Sequence, residues 1–123
     1  MLQNNYRCPV TETMSVIGSK WKPIILWIIH DQTRQFGEIQ RFIPKITHKV
    51  LTQQLRELER DGIVSRRVYP VVPPKVEYSL TEYGSTIIPI LKEMEKWGTL
   101  HIAESDKHPH KAVRTDMSAE QLN

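Results

Sequence analysis

At 123 residues the chain has a single-domain length, sufficient to bury roughly two thirds of the surface its unfolded form exposes. Seventeen Lys and Arg against fourteen Asp and Glu give a net charge of +3, and one cysteine, Cys8, excludes an intrachain disulfide and a multi-thiolate metal site. The longest unbroken apolar run is Ile24 to Ile29, far below the roughly 20 residues of a membrane-spanning helix, and the N-terminus lacks the apolar stretch of a secretory signal, so a cytoplasmic protein with no membrane association is expected.

Structure is expected to begin at Cys8-Pro9, because proline suits the first helical position and Val10, Met14 and Ile17 recur at helical spacing until Gly18. Pro23 suits a second start, and the run to Ile29 reads as a buried helix, with a strand as the alternative for so short an apolar stretch. Asp31 to Gln35 reads as a turn. Phe36, Ile39, Phe42 and Ile43 then share one helical stripe that stops before Pro44.

From Thr47 a longer helix is predicted: Thr47 can cap it, Leu51, Leu55 and Leu58 follow the i, i+4, i+7 pattern, and Asp61-Gly62 stops it. Two β-prone runs follow, Ile63 to Tyr69 and Val76 to Leu80. Pro70, Pro73 and Pro74 lie between them, so they form a hairpin with a stiff exposed tip carrying Lys75. Thr81 can cap a last long helix with Ile87, Leu91, Met94 and Trp97 as its stripe, and Pro89 should bend that helix or mark a late start. Residues 1–103 are thus expected to form one domain, and 104–123 a polar, disordered tail.

Charge is concentrated in the middle. Between Arg41 and Lys75 eight basic and three acidic residues give +5, leaving −2 for the remainder. Such a segment suits a polyanion, although a solvated basic face produces the same count. Two helices, a short turn around Pro44 to Ile46, a capped helix and a hairpin follow one another in the order of a winged helix-turn-helix, a mainly α fold with a small β-hairpin wing. With Leu51 at zero and ~100° per residue, Leu55 and Leu58 fall beside it. Lys49, Gln53, Arg56 and Arg60 lie near the opposite pole, with Thr52 at the edge. Glutamine can pair with adenine, arginine or lysine with guanine, and threonine can touch a thymine methyl. Lys49, Thr52, Gln53 and Arg56 are the candidate base readers. Lys45, Arg66, Arg67 and Lys75 are candidate phosphate or wing contacts, and strand alternation lets only one of Arg66 and Arg67 point outward cleanly. Thr47 and His48, at the helix start, complete the set, His48 being open to a solvated role as well. Glu57, Glu59 and Asp61 read as helix-end surface charges beside Arg56 and Arg60.

Several blocks stand in fixed order: Cys8-Pro9-Val10; Ile17-Gly18-Ser19-Lys20-Trp21 with Ile25-Leu26; Phe36-Gly37-Glu38-Ile39; the run from Ile46 to Gly62; and Pro73-Pro74-Lys75-Val76-Glu77-Tyr78-Ser79-Leu80-Thr81 with Gly84. With these the chain resembles the HxlR-type family of bacterial winged helix-turn-helix transcription regulators from Cys8 to about Trp97. The resemblance implies a homodimer on pseudo-palindromic operator double-stranded DNA, with the helix from Thr47 in the major groove and the hairpin as wing. It implies a dimer contact built from the first and last helices, around Val10, Met14, Ile87, Leu91, Met94 and Trp97. The chain departs from the family pattern at Ser19 and Lys45, where glycine is common, and at Gln35, where arginine is common.

Some members of the family sense oxidants or electrophiles through a cysteine at the position of Cys8. A thiol capping a helix beside Arg7 would have its thiolate favoured; a small buried apolar role is the alternative. Trp21, Trp27 and Trp97 read as core or dimer contacts. His108 and His110 show no ligand set, and no nucleophile and base pair or Gly-rich phosphate loop is present, so no metal, cofactor or enzymatic activity is expected. The expected function is a repressor or autoregulator, with its effector undefined. A winged-helix protein-interaction module without specific DNA binding is the rival.

Overall fold

A computed structural model describes residues 6–108. Five α-helices and three strands follow in the order α1 (Pro9–Ile17), α2 (Lys22–Ile29), β1 (Arg34–Gln35), α3 (Phe36–Phe42), α4 (His48–Arg60), β2 (Val64–Tyr69), β3 (Lys75–Leu80) and α5 (Ile88–Asp106), with a 3₁₀ turn, Gly84–Ile87, before α5. The strands form one antiparallel sheet in the order β1-β3-β2. This is the winged helix-turn-helix, with the wing widened by a short third strand.

The helix boundaries have local causes. Proline occupies the first turns of α1, α2 and α5, where its missing N–H leaves no helical bond unmade. Thr47 Oγ1 accepts the Val50 amide (3.1 Å) and so caps α4. At its other end Gly62 takes φ +76°, the left-handed conformation that closes a helix. The Gly62 amide then bonds the Glu59 carbonyl and the Ile63 amide that of Leu58, each at 3.0 Å. Gln35 and Glu38 cap α3 reciprocally.

The core is contributed by every helix and by the roots of the wing: Ile17, Ile25, Leu26, Ile29, Ile39, Ile43, Ile46, Leu51, Leu55, Leu58, Ile63, Val64, Tyr78 and Leu91. The Ile24 to Ile29 run is helical, which removes the strand alternative, and Trp21 and Trp27 pack half-buried against the core. Among the described residues, no helix is long and apolar enough to cross a membrane.

Three sequence expectations change. Arg34 and Gln35, assigned to a turn, pair with Tyr78 and Glu77 as an edge strand. Thr81 caps the 3₁₀ turn rather than a long helix: its hydroxyl accepts the Gly84 amide (2.8 Å) and donates to the Gly62 carbonyl (2.6 Å), and α5 starts only at Ile88, beside Pro89. The last helix continues through Asp106, so Glu104 to Asp106, placed in the tail by the sequence reading, are helical. Residues 109–123, the rest of that tail and the site of His110, lie outside the described residues. His108 does have a carboxylate one turn away, with Nε2 3.1 Å from Glu104.

Candidate nucleic-acid interface

The period of α4 separates its two sides cleanly. Leu51, Leu55 and Leu58 are at most 1% exposed, whereas Lys49, Gln53, Arg56 and Arg60 are exposed. Together with His48, Thr52 and Glu57 these outward residues line a shallow concavity of about 650 Å³. Lys45 is exposed in the turn that leads into the helix.

Several candidate contacts also hold local structure. The Thr47 oxygen is committed to its cap, and the His48 ring lies 4.7 Å from that of Phe36, which fixes the start of α4 against α3. Thr52 donates its hydroxyl to the His48 carbonyl at 2.8 Å, leaving its methyl group turned away from that bond.

The register of the hairpin decides how its arginines are directed. Arg66 stands opposite Tyr78 and Arg67 opposite Glu77, so the two occupy opposite faces of the sheet. Arg66 lies on the face turned to α4 and lines a cleft of about 300 Å³ with His48, Thr52, Arg56 and Tyr78. Arg67 belongs to the other face, where its guanidinium and the Lys75 ammonium each lie 4.9 Å from the centre of the Tyr69 ring. On this face Tyr69 donates its hydroxyl to Glu77 (2.7 Å) and Lys75 pairs with the same carboxylate at 3.5 Å. The Tyr69 bond holds the Glu77 carboxyl below its usual range, and the same bond raises the Tyr69 hydroxyl. Lys75 therefore enters the wing with part of its charge already answered.

Glu57 is not a loose surface charge. Lys22, 6% exposed, reaches from the first turn of α2 to place Nζ 2.5 Å from Glu57 Oε1. That hydrogen bond is the main cause that holds the Glu57 carboxyl below its ordinary range. Ser19 caps α2 by accepting the Lys22 amide (2.9 Å) and donates to Gln54 Oε1 at 2.6 Å. The Ser19 to Lys22 segment thus grips α4 at two successive turns. A separation of 35 residues hides both links from any sequence period; a lysine beside a buried apolar run was the available signal.

Cys8 is the N-cap residue of α1 and is half-buried. Its thiol is drawn below the ordinary cysteine range, chiefly by the Thr11 backbone, then by the Thr11 side chain and the Val10 backbone, without closing a full capping hydrogen bond. Arg7 is not the cause, because its guanidinium is engaged by Glu12. Of the residues assigned to a dimer contact, Val10, Met14, Met94 and Trp97 are exposed, at 71%, 54%, 45% and 65%. Leu91 is buried in the protomer's own core, and Ile87 is partly buried against that core, so the stripe turns inward at its N-terminal end.

A model of the HxlR-like helix-turn-helix family matches residues 16–106. The HTH-type transcriptional regulator YdeP of Bacillus subtilis is 51% identical over 100 residues, covering 81% of this chain and 78% of that protein. Among solved structures, the HTH-type transcriptional regulator ytcD superposes with a TM-score of 0.75 at 48% identity, covering 79% of this chain and 99% of that one. The redox regulator HypR in its oxidised form superposes with a TM-score of 0.72 at 55% identity, covering 75% and 95%.

Proposed function

The chain belongs to the HxlR-like helix-turn-helix family of transcriptional regulators, and from that premise we propose that it acts as a homodimeric repressor or autoregulator on pseudo-palindromic operator DNA. In this reading α4 enters the major groove, Lys49, Thr52, Gln53 and Arg56 meet base edges, and Lys45, Arg66, Arg67 and Lys75 meet the phosphate backbone. The carrying observation is the exposed polar side of α4, whose one inward-reaching acid, Glu57, is answered by the buried Lys22. Arg66, facing α4 across the cleft, and Arg67, on the far side of the hairpin, would grip the backbone from different directions. Two copies related by a dyad would set their reading helices about one helical turn, ~34 Å, apart on the duplex, or a multiple of it.

Affinity measured against salt tests this. Counterion release gives a slope near −0.9 per phosphate neutralised, so a dimer with about six such contacts is expected to lose roughly a thousandfold in affinity between about 50 and 200 mM salt. A flat dependence would favour the rival, a protein-interaction module.

A thiol response through Cys8 is part of the proposal, supported by the favoured thiolate at the α1 cap and by the likeness to a redox regulator. With one cysteine per chain, oxidation leads to a sulfenic acid, a mixed adduct, or a bond between two Cys8 residues of a dimer. Diamide treatment is expected to change operator binding of the parent protein and to leave Cys8→Ser unaffected. Identical behaviour of the two proteins would remove the sensor and return Cys8 to a packing role.

A further inference from the structure

We propose that Glu57, anchored by the buried Lys22, is a positioning residue that fixes the orientation of the Gln53 side-chain amide and so makes Gln53 a reader of adenine; this rests on the DNA-binding reading above. The two oxygens of Glu57 are divided between two partners. Oε1 takes the Lys22 ammonium at 2.5 Å, and Oε2 lies 3.4 Å from Gln53 Nε2, one turn earlier on the exposed side of α4.

The chemistry of these groups leaves one arrangement. An ionised carboxylate has lone pairs and no proton to donate, so the Gln53 amide must turn its NH₂ toward Glu57. Lys22 keeps the carboxylate ionised: its buried ammonium has Glu57 as counter-charge, and the Glu57 carboxyl is held below its ordinary range. With one N–H committed inward, Gln53 offers the solvent side its carbonyl oxygen and its second N–H. One acceptor beside one donor is the complement of adenine, which presents an N6 donor and an N7 acceptor in the major groove. Guanine presents two acceptors there, and the Gln53 oxygen would oppose one of them.

Replacing the carboxylate by its isosteric amide reverses the logic. In Glu57→Gln the Lys22 ammonium, which only donates, captures the new amide's oxygen and leaves its NH₂ facing Gln53. Gln53 must then rotate its own oxygen inward and present two N–H donors outward, a match for guanine O6 and N7.

The test is selection of bound fragments from random duplexes by the full chain, with the parent protein, Q53A, E57Q and the double variant K22M/E57Q. The expected result is that the parent selects adenine at one half-site position, that Q53A loses preference there, and that E57Q shifts it toward guanine, changing the adenine-to-guanine ratio on the order of tenfold or more. The double variant carries no buried unpaired charge, so it stays informative if E57Q folds poorly; there the two bases are expected to be selected about equally. Selection of adenine unchanged in both Glu57 variants, or weakening that is uniform over all sequences, overturns the positioning role. A Q53A selection identical to the parent's overturns Gln53 as a reader while leaving operator binding intact, whereas a parent protein that enriches no sequence overturns the operator reading along with the proposal.

Discussion

Trp97→Glu is expected to convert the protein to monomers in sedimentation and to weaken binding to a full operator by about 10² to 10⁴, while half-site binding persists. The reason lies in what Trp97 does not do within its own protomer. It is 65% exposed and, among the described residues, its ring stacks on that of His101, one turn on, at 4.9 Å. A tryptophan offers roughly 150–250 Å² for burial, and Met94 and Leu100 on α5, with Val10 and Met14 on α1, are exposed apolar side chains as well. Dimerisation through these helices would cover it. A glutamate at 97 would then bring a charge from each copy into that apolar contact. Because the protomer's core does not include Trp97, helical content is expected to be unchanged. A variant that remains dimeric at micromolar concentration would move the interface off this face of α5.

The same helix illustrates what a sequence carries and what it withholds. Periodicity gave α4 its cap, its buried leucines and its stop, because each of those is local: a hydroxyl three residues before the amide it accepts, a 3.6-residue repeat, a glycine that tolerates positive φ. In α5 the period alone predicted one continuous stripe, whereas Leu91 is buried in the core and Met94 and Trp97 are exposed. A stripe states which residues share a side, but the element they meet is decided by the tertiary path. Strand β1 was hidden for a related reason. Arg34 and Gln35 have no strand character of their own and are extended because the edge of β3 supplies their partners. The division between Arg66 and Arg67 needed the register, and the Lys22–Glu57 pair needed the packing of α2 on α4.

Gly84→Ala should be strongly destabilising, costing about 3 kcal/mol or more. A Cβ on Gly84 would stand 2.0 Å from the Ile63 carbonyl oxygen and 2.9 Å from its carbon. Those are main-chain atoms, and they are held from several sides. The Ile63 amide closes the end of α4 on Leu58, its carbonyl accepts the Thr81 amide at 3.0 Å, and the Thr81 hydroxyl ties Gly62 and Gly84 together. Relief of the clash therefore requires moving the junction where the reading helix hands over to the wing. For a domain of this size the loss corresponds to a fall in Tm of roughly 12 °C or more. Gly98→Ala, within α5 and with nothing in its own protomer within 4 Å of the added methyl, provides the opposite sign: a helix-interior glycine costs roughly 0.5–1 kcal/mol relative to alanine, so the protomer should melt higher. Thermal denaturation of both variants beside the parent separates the two effects. If Gly84→Ala melted with the parent, the Ile63–Thr81 junction would have to be compliant, and the wing would not be held at a fixed angle to α4.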